Sequence, residues 1–260
     1  MAWITVLGIP AAVYVMSITA LMFVANDQQQ SPFLLLGAGL LTAGIYIFHR
    51  CSILEVEPMQ ERHRIAIRNK KPLLLISGVL IFLALVVFEI CEPIFSLLVF
   101  ASILGVVAYG RKTITKPLRT YIFVKPVAVG IAIVMFAWVL NGMSNTVVVV
   151  VWFMMISSAD ALLCDSADCE YDAASGCQTL AMKLGEHWTW ICATAVYTVA
   201  SIGIYVATSH SSFLGVFFYI VFVASIPFRK IDSRYVVDFR LVLVLLLAWG
   251  EWMLWSGQLQ

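Results

Sequence analysis

Apolar runs close to the length of a membrane-crossing helix recur along this chain from its first residues to its last. They fall at 3–25, 32–48, 73–90, 94–109, 122–140, 146–163, 188–207, 212–227 and 239–256. Each approaches the roughly 20 residues a helix needs to cross bilayer hydrocarbon. Hydrocarbon offers no partner to backbone N–H and C=O groups, so each run must satisfy them internally, as a helix does. Composition supports the same reading. Of the 260 residues, 62% are hydrophobic and 12% charged, with a mean hydropathy of +0.96. A soluble core has no room for that much apolar side chain, so lipid must be the solvent for most of the surface. The expected fold is an all-α integral membrane protein, one bundle of nine transmembrane helices over 1–260, with no second domain and no low-complexity segment. The first run has no basic segment before it and no small-residue cleavage site after it, so it is expected to be a retained span.

The connections alternate in character. Segments 26–31, 91–93, 141–145 and 208–211 are short and contain no Lys or Arg, whereas 49–72, 110–121, 164–187 and 228–238 are long and polar. All sixteen basic residues lie in or beside the long set. The positive-inside rule puts those four loops in the cytoplasm, with the N-terminus inside and the C-terminus on the opposite side. Nine spans satisfy that parity; eight or ten do not. The net charge of +1 carries no information about partners, and no feature points to nucleic acid. The six cysteines form no CxxC pair and read as small apolar residues in or near helices.

Chemistry concentrates in the third long loop. Five of the fifteen acidic residues lie between 160 and 172. Asp165, Asp168 and Asp172 stand at i, i+3 and i+7, one face of a helix if the sixth span continues through them. No Lys or Arg lies at helical spacing to neutralise them; Lys183 is the first to follow. Asp160 falls inside the span, where an ionisable group is costly and is most often functional. A solvated acidic helix end is the plain alternative. Hard carboxylate ligands in this pattern suit Mg²⁺, which bridges one or two carboxylates to phosphate oxygens. Arg111, Lys112, Lys116, Arg119 and Lys125 cluster after Tyr109-Gly110. Topology and headgroup contact account for part of that cluster. A cytoplasmic cavity with Mg²⁺ carboxylates on one wall and Arg/Lys on another would also suit a diphosphate. Helices rich in aromatic residues would suit a hydrocarbon chain and a carbocation.

The stretch Asp165-x-x-Asp168-x-x-x-Asp172-x-x-x-Gly176-x-x-Thr179-Leu180-x-x-x-Leu184-Gly185 resembles the second aspartate-rich motif of the UbiA superfamily of intramembrane prenyltransferases. The nine-helix plan is similar, and Tyr109 to Lys125, running into Pro126, resembles that family's basic connection between the fourth and fifth helices. The first motif of that family, NDxxDxxxD at the end of the second helix, is not matched. Here the sequence reads Tyr46-Ile-Phe-His49-Arg50-Cys51-Ser-Ile-Leu-Glu55-Val-Glu57-Pro58. His49, Arg50, Glu55, Glu57 and Glu61 are the candidates for a degenerate first motif.

The resemblance implies a Mg²⁺-dependent prenyltransferase that moves an isoprenyl group from an allylic isoprenoid diphosphate to an unknown small or lipid acceptor. Asp165, Asp168 and Asp172 would be the catalytic metal ligands. Arg111, Lys112, Lys116, Arg119, Lys125 and Lys183 would bind the diphosphate. Two alternatives remain open: a terpene cyclase of the same fold, and a non-catalytic membrane protein that binds or moves an isoprenoid or related lipid.

Overall fold

The computed structural model of the chain describes residues 2–28, 31–52, 61–110, 122, 124–174 and 177–208. All regular structure among the described residues is helical. The helices are α1 (Ala2–Val6), α2 (Ile9–Val24), α3 (Pro32–Cys51), α4 (Glu61–Arg68), α5 (Lys70–Cys91), α6 (Ser96–Gly110), α7 (Val124–Leu140), α8 (Val147–Ala167), α9 (Cys169–Ala174), α10 (Leu180–Leu184) and α11 (Glu186–Thr208), with a 3₁₀ turn at Pro93–Phe95. Helices α3, α5, α8 and α11 are each long and apolar enough to cross a membrane; α2, α6 and α7 are shorter apolar helices. These elements account for the first seven apolar runs. The runs 212–227 and 239–256 lie outside the described residues, so the count of nine rests on sequence.

Two expectations need correction. The run 3–25 is not one helix: it breaks at Leu7–Gly8 into α1 and α2. Gly8 has φ +70°, and a side chain there would meet Tyr46 Cβ and the Ala43 backbone at 3.0–3.2 Å. The break therefore combines a left-handed backbone with a close approach to α3. The segment 49–72 is also more than a polar connection. It contains α4, which buries Arg62, His63 and Ala66 and exposes Glu61, Arg64 and Arg68.

The chain divides into two compact units. One comprises 1–16, 31–121 and 170–178. Its main pairing is α3 with α5, and α1 packs on α4. Ser31 caps α3 by accepting from Leu34 N–H at 3.4 Å, and Pro32 follows it. Gly44 lets α5 come close enough for Ser77 Oγ to donate to the Gly44 carbonyl at 2.7 Å. Val6, Ile47, Cys51, Ala66 and Leu73 form an apolar core that joins α1, α3, α4 and α5.

The other unit comprises 17–30, 122–169 and 179–260. Here α8 packs against both α7 and α11, and α10 packs against α8 and α11. Small residues again set the approach: Gly130 faces Ser158, and Gly203 faces the Trp152 indole. Asn141 and Asn145 both donate to the Met22 carbonyl, at 2.8 and 2.9 Å, satisfying a backbone acceptor near the end of α2.

Large apolar side chains remain outside. Leu75 is 71% exposed, Ile90 79% and Val206 72%. Contiguous apolar exposure on helices long enough to span is the surface of a protein dissolved in lipid. The chain is an integral membrane protein.

Candidate functional site

The acidic segment begins inside α8. Asp160 and Asp165 are both buried, at 5% and 3% exposure. The helix ends at Ala167, and Asp168 is its cap, with Asp168 N–H donating to the Asp165 carbonyl at 3.2 Å. A helix C-terminus already carries partial negative charge on its last carbonyls. Adding Asp165 and Asp168 to that end creates a place where a cation is strongly favoured. One cation is part of the protein: Lys125 Nζ lies 2.7 Å from Asp165 Oδ1. Sequence spacing along α8 gave no neutralising base, because Lys125 arrives from the first turn of α7 through tertiary packing.

The stripe Asp165–Asp168–Asp172 does not ride on one continuous helix. Asp165 is in α8, Asp168 caps it and Asp172 is in α9. Asp172 is buried, and its carbonyl accepts from Cys177 N–H at 2.9 Å. The rest of the motif explains itself locally. Thr179 is buried and caps α10, its hydroxyl accepting from Met182 N–H at 3.3 Å. Gly185, at φ +78°, ends α10, and its carbonyl accepts from the Thr189 hydroxyl at 2.8 Å. The Thr and Gly of the motif thus shape the chain between the aspartates and the next long helix.

At the end of α3, the described residues present bases rather than acids. Arg50 is buried; it donates to the Tyr46 hydroxyl, lies over the Tyr46 ring at 4.8 Å, and contacts His63 Nε2 at 2.6 Å. A guanidinium only donates, so His63 Nε2 accepts and the imidazole is the neutral Nδ1–H tautomer. Arg62 is 5% exposed and His63 1%. His49 stacks at a tilt on Tyr109, with ring centroids 6.1 Å apart. Glu61 is exposed, and Glu55 and Glu57 lie outside the described residues. Sequence reasoning counted Arg62 as a topology marker and overlooked His63. The available signal was the helical period of 62, 63 and 66 against 61, 64 and 68.

Of the basic residues expected at a diphosphate, Lys125 is joined to Asp165 and Lys183 is exposed. Arg111, Lys112, Lys116 and Arg119 lie outside the described residues. Among the described residues, no three His, Cys, Asp or Glu side chains gather as a metal-binding group. The carboxylates at the end of α8 and in α9 still have the donor chemistry Mg²⁺ takes, since that ion commonly uses one or two protein carboxylates and completes its shell with water and phosphate.

These features define a class: a polytopic helical membrane protein with buried carboxylates and a paired lysine at one helix end. No family model matches the sequence, and no curated protein does either. Among solved structures, the chain is similar to a UbiA homolog from Archaeoglobus fulgidus bound to GPP and Mg²⁺. The TM-score is 0.71 at 10% identity, covering 99% of this chain and 100% of that one. At that identity the likeness is one of fold: the chain has a UbiA-like helical fold.

Proposed function

We propose that the chain is a Mg²⁺-dependent intramembrane prenyltransferase, acting as one bundle over 1–260. It would transfer an isoprenyl group from an allylic isoprenoid diphosphate to a small or lipid acceptor. The observation that carries this reading is the carboxylate-bearing end of α8, with Asp165 held against Lys125 and Asp168 at the helix terminus. The UbiA-like fold supports it, and the solved homolog of that fold binds GPP and Mg²⁺.

In this scheme Asp168 and Asp172 would hold Mg²⁺, with Asp165 assisting while also fixing Lys125. Bound Mg²⁺ supplies positive charge to the leaving diphosphate. Lys125 and the bases Arg111, Lys112, Lys116, Arg119 and Lys183 orient and neutralise that same group. The allylic C–O bond breaks and the diphosphate leaves with the electron pair. The acceptor then forms the new bond to carbon and loses its proton. An apolar lining excludes water from the cation. If the acceptor is a double bond of the same prenyl chain, the enzyme is a cyclase. The bases at the end of α3 favour a second reading, a non-catalytic isoprenoid or lipid carrier, because they stand where metal-binding acids are expected.

The test is release of diphosphate from allylic diphosphates of several chain lengths, with Mg²⁺, by the purified protein in nanodiscs. Asp168→Ala and Asp172→Ala should each lower turnover about a hundredfold or more, the loss expected when charge stabilisation of a transition state is removed. Bound but unreacted substrate, with no dependence on either aspartate, would favour the carrier.

A further inference from the structure

Trp190 is 2% exposed, and its indole N–H has no hydrogen-bond partner among the described residues. An indole nitrogen can only donate, and a buried donor left unpaired costs free energy that a bound oxygen would recover. Ser201 Oγ on the same helix is also buried without a partner among the described residues, but it has a local remedy. A hydroxyl in a helix can rotate to the carbonyl four residues back, as those of Thr194 and Thr198 do. The Trp190 indole has no such route, because its rigid ring carries the N–H beyond its own backbone.

Helix register places this donor. Trp190 lies on the stripe of α11 that is buried with Ala193, Tyr197 and Ala200, whereas Trp188 is 60% exposed. Helices α8 and α11 lie antiparallel: Gly203, near the end of α11, faces Trp152, near the start of α8, and α10, which leads into α11, packs on α8 as well. Counting equally from the Gly203–Trp152 contact toward the other ends reaches Trp190 on α11 and Asp165 on α8. Both helices rise by the same amount per residue, so Trp190 is level with the Lys125–Asp165 pair. Side chains in a helix lean toward its N-terminus, which carries the Trp190 ring further toward the end of α8 that Asp168 caps.

From this geometry we propose that Trp190 is a substrate-binding residue whose indole N–H donates to a phosphate oxygen of the allylic diphosphate at the carboxylate-bearing end of α8. The inference rests on the prenyltransferase reading for the identity of that ligand. Lys125 stands at the same level, so the indole supplies a second donor to one anionic group. A neutral N–H adds a directional contact without the cost of burying another base.

The test uses the full chain in phosphatidylcholine nanodiscs, with its eight tryptophans isotope-labelled at the indole nitrogen and followed by NMR. The Trp190 N–H resonance is the one lost in Trp190→Phe; if that variant fails to fold, Phe at each other tryptophan assigns it by elimination. With geranyl diphosphate and Mg²⁺ the Trp190 resonance should move downfield, as a donor's does on meeting an oxygen, while that of Trp188 stays. Inorganic pyrophosphate with Mg²⁺ should move it in the same direction. Trp190→Phe keeps an aromatic ring and removes the donor, so it should weaken geranyl diphosphate binding about tenfold, the effect of losing one hydrogen bond to a charged group. Binding that leaves the Trp190 resonance in place, or that is unchanged in Trp190→Phe, overturns the role of Trp190 and leaves the prenyltransferase reading intact. A shift with geraniol but not with pyrophosphate overturns it too, and assigns the N–H to a neutral oxygen. Failure to bind either diphosphate overturns the prenyltransferase reading and the role of Trp190 together.

Discussion

The Lys125–Asp165 pair shows how one side chain can serve both packing and chemistry. With 14% and 4% of the two side chains exposed, neither charge is well solvated. Removing one partner takes the nearest opposite charge from the other, so Lys125→Met should destabilise the protein by on the order of 3 kcal/mol. The double variant Lys125→Met/Asp165→Asn should recover much of that loss, because the uncompensated charge is gone. Apparent melting temperatures of the two single variants and the double variant in one detergent check this; strict additivity would mean the two charges do not stabilise each other. At this scale the sequence revealed the acids and concealed their partner. Local spacing exposes i, i+3 and i+4 neighbours, whereas Lys125 reaches Asp165 only once α7 and α8 pack. The same limit hid His63, whose meaning depends on Arg50 across the connection between α3 and α4.

At the scale of elements, hydrophobic run length was enough to find seven helical segments, because lipid forces each run to close its own hydrogen bonds. It could not find the break at Gly8, since nothing in apolar content separates one helix from two. The decisive signals there are backbone ones, a residue free to take φ +70° and Pro10 just beyond it. The short helices α4 and α10 were also missed as elements, being too brief and too polar for a span criterion. Close approach between long helices makes a direct prediction. A side chain at Gly44 would meet Ile81 Cγ1 at 2.8 Å and the Ser77 carbonyl at 3.1 Å. Gly44→Leu should therefore push α5 off α3, break the Ser77–Gly44 hydrogen bond and cost roughly 1–3 kcal/mol or more. Gly78→Leu is the control, because a Cβ there meets no neighbour within 4 Å. Equal loss of thermal stability in both variants would contradict the close packing of α3 on α5. In the other unit, Asn141→Ala/Asn145→Ala should cost more than either single change, since each amide alone still satisfies the Met22 carbonyl.

For the whole molecule, the orientation expected from the sequence rests on where charge sits on helices that pack within each unit. Arg50 lies in the last turn of α3, and Lys70 and Lys71 open α5, its neighbour, so both helices carry their bases at connected ends. Lys125 opens α7 and meets Asp165 near the end of α8, which places those two termini together as well. Glu89 and Glu92 stand at the other end of α5. By the positive-inside rule, those basic ends are expected on the cytoplasmic side. Reporters inserted at 26–31 and 141–145 should lie outside the cytoplasm, and one inserted at 110–121 inside. These three sites test the parity of the second to fifth apolar runs. A reporter after Gln260 tests the remainder: it should lie outside if 146–163, 188–207, 212–227 and 239–256 all cross. A tail inside, with the other three sites as expected, would mean that one of those four runs does not cross and that eight spans replace nine. A reporter at 110–121 on the same side as one at 141–145 would overturn the orientation argument itself, since 122–140 would then fail to cross despite its apolar length.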